Sequence, residues 1–207
     1  MINYETFGSY ISKLSSADPA PGGGSATAMV STVGAALVAM LAALTVNKKA
    51  YLELDDDTKN EFKTNYNYVV NEIDALMSFI DKDMRCYPNF LNAYKLPKDT
   101  EKQMEVRNQA IQDATIYACE IPYYIMKESL NVMVAATKLA KHGNKTVMSD
   151  LVSGVILLQA AIEACSLNIK MNATNIKDER ISKNYLDKMN SILKDAKEIK
   201  EDILANY

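Results

Sequence analysis

The sequence predicts an all-α fold: a bundle of long, partly kinked helices around two apolar central helices, paired as a dimer. Three observations lead there. Apolar residues recur at helical spacing almost throughout, with no sustained alternation of period two and no Asn-Gly or Asp-Gly hairpin signal. Residues 26–46 carry no charge. Residues 146–173 are apolar on most faces, through Val152, Val155, Ile156, Leu157, Leu158, Ala160, Ala161, Ile162, Ala164 and Leu167. Helices apolar all round belong in a core. Two of them in one chain imply that part of their surface is buried against a second subunit.

The elements follow in order. Residues 3–14 form a short helix. The run Pro19-Ala20-Pro21-Gly22-Gly23-Gly24-Ser25 makes a loop and opens the first central helix, about 25–47. Lys48 and Lys49 stand at its C-terminal end, where cations oppose the helix dipole. Thr58 with Glu61 reads as a capping box for a long helix over about 58–94. Its apolar positions include Phe62, Tyr66, Val69, Val70, Ile73, Leu76, Met77 and Ile80. Pro88 should kink or break it, and Leu96-Pro97-Lys98 ends it. Thr100 with Gln103 caps a helix over about 100–142, kinked at Pro122. Lys141-His142-Gly143-Asn144 reads as its C-terminus, with Gly143 left-handed. Thr146 and Ser149 are candidate caps for the second central helix, about 146–173. An amphipathic, Lys/Glu-rich helix over about 179–205 covers the outside. No repeat, linker or low-complexity tract interrupts residues 1–207, which read as one domain.

Three adjacent glycines cost backbone entropy. They suit either a tight turn before a buried helix or an anion site, since free N–H groups gather at the positive end of the helix dipole. The sequence leaves both open.

Composition excludes several classes. The net charge of -3 gives no nucleic-acid footprint. Cys86, Cys119 and Cys165 are scattered without a CxxC pair, which argues against a disulfide framework or a zinc site. His142 is the sole histidine, so neither a multi-His metal site nor a His-based triad has support. Small residues fill much of 26–46, which fits a helix buried by other helices rather than a membrane span. The N-terminus lacks the basic-then-apolar pattern of a secretory signal, which points to the cytoplasm.

Polar groups on the apolar segments are the candidates for chemistry. Asp81 extends a mixed face, whereas Asp83 follows Met77 and Ile80 at helical spacing and points inward. A carboxylate buried in a helical bundle has its pKa pushed toward neutrality and suits general acid–base work. Asp150 lies in the first turn of the second central helix, where dipole stabilisation alone would explain it. Asn168 and Asn172, one turn apart, serve either a ligand or hydrogen bonds between helices.

Taken in order, these segments resemble a known family. Pro21-Gly22-Gly23-Gly24-Ser25 opens an Ala-rich helix ending Leu44-Thr45, followed by Lys48-Lys49-Ala50-Tyr51. Then come Ile80-Asp81-Lys82-Asp83, Leu96-Pro97-Lys98, Arg107-Asn108-Gln109-Ala110, Ile121-Pro122, Gly143-Asn144, Ser149-Asp150, and Leu167-Asn168 with Asn172. The set is similar to the cyclodeaminase/cyclohydrolase family of folate enzymes, over about residues 3–200. That family comprises the C-terminal domain of formimidoyltransferase-cyclodeaminase and stand-alone methenyltetrahydrofolate cyclohydrolases. Three features depart from its pattern: Asn47 where glycine is common, Met148, Leu151 and Ser153 around Ser149-Asp150, and Pro88 within a long helix.

The resemblance implies an all-helical homodimer with active sites near the subunit contact. It implies chemistry on a one-carbon unit between N5 and N10 of tetrahydrofolate, with no metal and no redox cofactor. Cyclohydrolases open 5,10-methenyltetrahydrofolate to 10-formyltetrahydrofolate, and cyclodeaminases close 5-formimidoyltetrahydrofolate with release of ammonia. A chain of this length leaves no room for a formimidoyltransferase domain, which favours the cyclohydrolase. A folate-binding dimer without turnover is the third expectation. In this frame Asp83, then Asp150, are the acid–base candidates. Gly22, Gly23, Gly24 and Ser25 line the pocket, with Thr45 also among the binding residues. Lys48 and Arg107 would hold the glutamate carboxylates, and Asn168 and Asn172 the pterin edge.

Overall fold

The structure is a computed structural model and describes residues 4–206. Every regular element among them is helical: α1 (Tyr4–Leu14), α2 (Gly23–Ala43), α3 (Lys49–Leu52), α4 (Asp56–Met84), α5 (Cys86–Tyr94), α6 (Glu101–His142), a 3₁₀ turn (Lys145–Val147), α7 (Met148–Ala173) and α8 (Glu179–Ala205). The start of the expected first helix, residue 3, lies outside the described residues.

Helix α2 is the axis of the bundle. It packs on α4, α6 and α7, while α8 covers α6 and α7 and α5 lies along α6. Its small residues permit close approach. A Cβ on Gly34 would come within 2.8 Å of the Gly154 carbonyl oxygen, and one on Gly154 within 2.6 Å of the Gly34 carbonyl oxygen. Each glycine therefore opens space for the other helix's backbone, and larger residues would force α2 and α7 apart. Around this crossing, Val38, Leu41, Val69, Leu76, Ile125, Met133, Leu158 and Ile162 are fully buried. By length and composition, α2 and the segment of α7 could each cross a bilayer, yet 44% and 56% of these windows are buried inside the bundle.

Local chemistry moves several boundaries. The cap of α4 is Asp55, not Thr58: its carboxylate accepts the Thr58 N–H at 2.8 Å and the Thr58 hydroxyl at 2.7 Å. A carboxylate outcompetes a hydroxyl at this position because it is charged and faces the positive end of the dipole. The long helix breaks at Arg85, three residues before Pro88. A proline ring excludes the carbonyl four residues back, here that of Met84, but is tolerated in a first turn, where α5 carries it. The Thr100–Gln103 capping box forms as expected, and Pro122 stays within α6. Gly143 is extended (φ -66, ψ 150), not left-handed. Its lack of a side chain answers a space constraint, since a Cβ there would lie 2.7 Å from Leu41 Cδ2. Asn144, rather than Thr146, caps the next turn, accepting the Thr146 N–H at 3.1 Å. Lys48 and Lys49 fall on α3 rather than on the end of α2, which stops at Ala43. Val70 and Met77 face outward from α4, unlike Phe62, Val69 and Leu76.

Candidate active site

The glycine run leaves α2 without a local cap. Gly22 occupies the N-cap position and has no side chain to offer. The missing acceptor comes from another helix. Asp83, in the last turn of α4, sets its carboxylate against this turn, where the Ser25 N–H favours its charged form. The approach is so close that a Cβ on Gly24 would collide with the Asp83 carboxylate. Gly24 is thus a steric requirement of Asp83: the anion placed at this helix N-terminus is the protein's own side chain.

The first turn of α2 is tied down from several sides. Ser25 is fully buried, and its hydroxyl donates to the Gly22 carbonyl at 3.0 Å. The Thr27 hydroxyl donates to the Gly24 carbonyl at 2.7 Å, and the Cys165 thiol of α7 donates to Thr27 Oγ1 at 3.2 Å. Tyr10 of α1 lies 3.1 Å from Ser25 Oγ. Asp83 itself is half-buried.

Burial pushes the Asp83 carboxyl above the usual carboxylate range, while the Ser25 N–H pulls it partly back. Two thiols feel its charge. Burial, with a smaller contribution from Asp83, raises Cys86 to about 12. Burial also raises Cys165, opposed by the Thr27 hydrogen bond and reinforced by Asp83. Both stay protonated at neutral pH, so neither supplies a thiolate nucleophile. The Tyr117 phenol on α6 is raised as well, chiefly by burial, with Cys86, Glu120 and Asp83 adding to it and Arg85 opposing. A half-buried carboxyl whose pKa is raised by burial, set beside a backbone donor, is a candidate to exchange a proton. Among the described residues no group of three or more His, Cys, Asp or Glu side chains is arranged to hold a metal ion.

The remaining sequence candidates divide between two ends of the bundle. Helix α7 runs antiparallel to α2, with Cys165 beside Thr27 and Gly154 beside Gly34. Asn168, half-buried, is therefore level with the Asp83 end. Asn172 lies a turn beyond, its amide donating to the Ala118 carbonyl of α6 at 2.8 Å. Arg107 is about 15 Å further along α6 than Tyr117, with Nε donating to the Tyr94 carbonyl at 3.3 Å and the guanidinium over the Tyr94 ring. Thr45, Lys48 and Asp150 stand at or toward the opposite end of α2, a helix about 30 Å long. Thr45 is buried there, donating to the Leu41 carbonyl at 2.7 Å and accepting the Asn144 N–H at 2.9 Å. Lys48 is exposed at the N-cap of α3, and Asp150 is half-buried in the first turn of α7. A single protomer thus brings Gly24 and Ser25 against Asp83, with Asn168 and Asn172 at the same end of the bundle, but does not bring Thr45, Lys48, Arg107 or Asp150 to that site.

Sequence reasoning passed over Tyr10, Thr27, Cys86, Tyr117 and Cys165. Thr27 sits one turn after the glycine run, so its spacing was a usable signal. Nothing local links Tyr10, Tyr117 or Cys165 to the loop, because they arrive on other helices. A cleft of about 470 Å³ opens beside Tyr117 between α5 and α6, lined by Asn89, Asn92, Ala93, Leu96 and Ala110 among others. A second cavity, about 550 Å³, lies at the Thr45 end against Lys138, Lys141, Lys145, Met148 and Asp202.

Comparison with known proteins adds to this geometry. The profile of the Formiminotransferase-cyclodeaminase family matches residues 6–202. The chain is 30% identical to the methenyltetrahydrofolate cyclohydrolase of Methylorubrum extorquens, over 98% of this chain and 96% of that one. It is 29% identical to the formimidoyltransferase-cyclodeaminase of Gallus gallus over 96% of this chain, which spans 36% of that larger protein. The crystal structure of formiminotetrahydrofolate cyclodeaminase from Thermotoga maritima superposes with a TM-score of 0.81, covering 94% of this chain and 91% of that one at 24% identity. At that identity the superposition establishes the fold.

Proposed function

The chain belongs to the formiminotransferase-cyclodeaminase family, and from that premise we propose that it is a methenyltetrahydrofolate cyclohydrolase whose proton-transfer group is Asp83. The observation that carries the proposal is the pairing of Asp83 with the glycine loop: a half-buried carboxyl with raised pKa, held against the N-terminus of α2. Its activity follows the Methylorubrum cyclohydrolase, with which it shares nearly the whole length of both chains.

In the proposed reaction the methenyl carbon is a cationic amidine carbon between N5 and N10. A nearby carboxylate stabilises that charge. Water adds to the carbon while Asp83 takes one of its protons. Asp83 returns the proton to N5 as the carbon–N5 bond breaks. The carbon stays on N10 as a formyl group, and the remaining hydroxyl proton leaves to solvent. Every step is proton transfer and addition, so the chemistry calls for no redox cofactor, and a carboxylate can perform it without a metal.

The cyclodeaminase reaction is the second reading, favoured by the similarity to formimidoyltransferase-cyclodeaminases. There N10 attacks the formimidoyl carbon and its proton passes to the imino nitrogen; the same carboxyl would then protonate the resulting amino group, so that the carbon–nitrogen bond breaks and ammonia leaves. Two substrates offered side by side separate the readings. Loss of the methenyl chromophore above its spontaneous rate supports the cyclohydrolase. Ammonia release from 5-formimidoyltetrahydrofolate supports the cyclodeaminase. Activity on neither contradicts both and leaves a folate-binding protein.

We also propose that the protein works as a homodimer. Val33, Met40 and Leu44 form an exposed apolar stripe on α2, and Ile156, Leu167 and Met171 form one on α7, with Met171 72% exposed. Two adjacent stripes of this kind suit a second copy. A dimer would also bring the Thr45–Lys48 end within reach of a neighbouring subunit. Sedimentation of the detergent-free protein at assay concentration should give a dimer, and a monomer would contradict it.

A further inference from the structure

Proton bookkeeping around Ser25 singles out a residue on α1. The Ser25 hydroxyl has one proton, and that proton goes to the Gly22 carbonyl at 3.0 Å. Ser25 Oγ is also 3.1 Å from the Tyr10 hydroxyl. With its only proton committed, Ser25 Oγ accepts here and Tyr10 donates. The relay therefore runs from Tyr10 O–H to Ser25 Oγ, and from Ser25 O–H to Gly22 C=O. The backbone N–H of the same serine points at Asp83. Tyr10 comes from outside the bundle core: Phe7 and Ile11 on its helix are 48% and 42% exposed, whereas Ser25 is fully buried.

We propose that Tyr10 is a positioning residue of this site: by donating to Ser25 Oγ it clamps the first turn of α2 in the orientation that presents the Ser25 N–H to the Asp83 carboxylate. The proposal rests on the reading of Asp83 as the proton-transfer group. Tyr10 does not exchange the proton itself. It acts through Ser25, and its loss should register at Asp83.

The surroundings of Asp83 make that register readable. The groups facing it are Ser25 on α2, Cys86 on α5, Tyr117 on α6 and Cys165 on α7, with Arg85 and Glu120 acting on Tyr117. Cys86, Cys165 and Tyr117 all titrate above their ordinary values, well clear of the acid range. Residue-specific assignment then isolates the change at Asp83 in the acid range.

The test uses the full chain with Tyr10→Phe, which removes one oxygen and keeps the ring. Asp83 is followed by carboxyl-carbon NMR across pH, its signal assigned by its absence in Asp83→Asn. The expected result is an Asp83 midpoint about 0.5 pH unit higher, since a hydrogen bond to the charged form is weakened. The acid limb of kcat for 5,10-methenyltetrahydrofolate should move by the same amount, with KM and helicity unchanged. Ser25→Ala should produce the same shift, and adding Tyr10→Phe to it should produce no further one. An Asp83 midpoint that stays put in Tyr10→Phe overturns the proposal, and so does a slower rate without a moved midpoint. Failure of the wild type to turn over either folate would sink the proposed function instead. The NMR midpoint would still decide the role of Tyr10.

Discussion

Two of the aspartates at helix N-termini, Asp55 and Asp83, are driven in opposite directions by their environments. Asp55 caps α4 from the adjoining residue, in solvent, and its hydrogen bonds from the Thr58 N–H and hydroxyl hold it below the usual carboxylate range. Asp83 caps α2 from a different helix, in a half-buried site, and burial outweighs its one backbone donor and lifts it above that range. Both face the positive end of a dipole, so the dipole does not explain the difference. Desolvation does. A cap in water is a stability device, and the same group moved into the protein holds its proton to higher pH.

Removing the buried carboxylate should have the largest effect. Asp83→Asn keeps an acceptor for the Ser25 N–H but cannot exchange a proton, so kcat should fall by about 10²–10⁴-fold. Thermal stability should hold or rise, because a desolvated charge is gone. Gly24→Ala comes next. Its new Cβ meets the Asp83 carboxylate, which must shift, so turnover should fall about tenfold and stability by about 1–3 kcal/mol. Circular dichroism should show the helices intact.

The pH dependence of stability sharpens the contrast. Asp83 is raised, so the folded state binds its proton more tightly than the unfolded chain. Its favourable contribution is complete below the ordinary value of 3.8 and is lost as pH rises through the raised value. Asp55 is lowered, so its contribution is complete above 3.8 and is lost as pH falls through the lowered value. Denaturation curves of Asp83→Asn and Asp55→Asn against the wild type should therefore diverge on opposite sides of 3.8. The smallest effect belongs to Asp55→Ala, which should cost a few degrees of Tm and leave turnover unchanged.

The same contrast explains what the sequence disclosed. Helical periodicity and the Thr100–Gln103 box are local, and they located α6 and the two central helices well. Pro88 announced a break, but its placement at Arg85 depends on which carbonyl the ring displaces. Asp55 and Thr58 compete for one cap, and charge decided between them. Asp83 does turn inward, but in register with Leu76 and Phe79, seven and four residues before it, and not with Met77, which faces outward. Its meeting with Gly24 was not legible, because that contact forms only when α4 and α2 pack side by side. For the same reason Gly143 looked like a left-handed cap, while its constraint is Leu41 on a neighbouring helix. Thr45, Lys48 and Asp150 matched a family pattern that says nothing of distance, and within one protomer they stand well away from Asp83 along α2.

The most direct test is the rate at which purified protein removes the methenyl chromophore of 5,10-methenyltetrahydrofolate, wild type against Asp83→Asn, with oligomeric state and helicity matched. The account predicts a wild-type rate well above spontaneous hydrolysis and an Asp83→Asn rate close to it. An Asp83→Asn protein that keeps near-wild-type turnover would contradict it, and would leave Asp83 as the cap of α2 and nothing more.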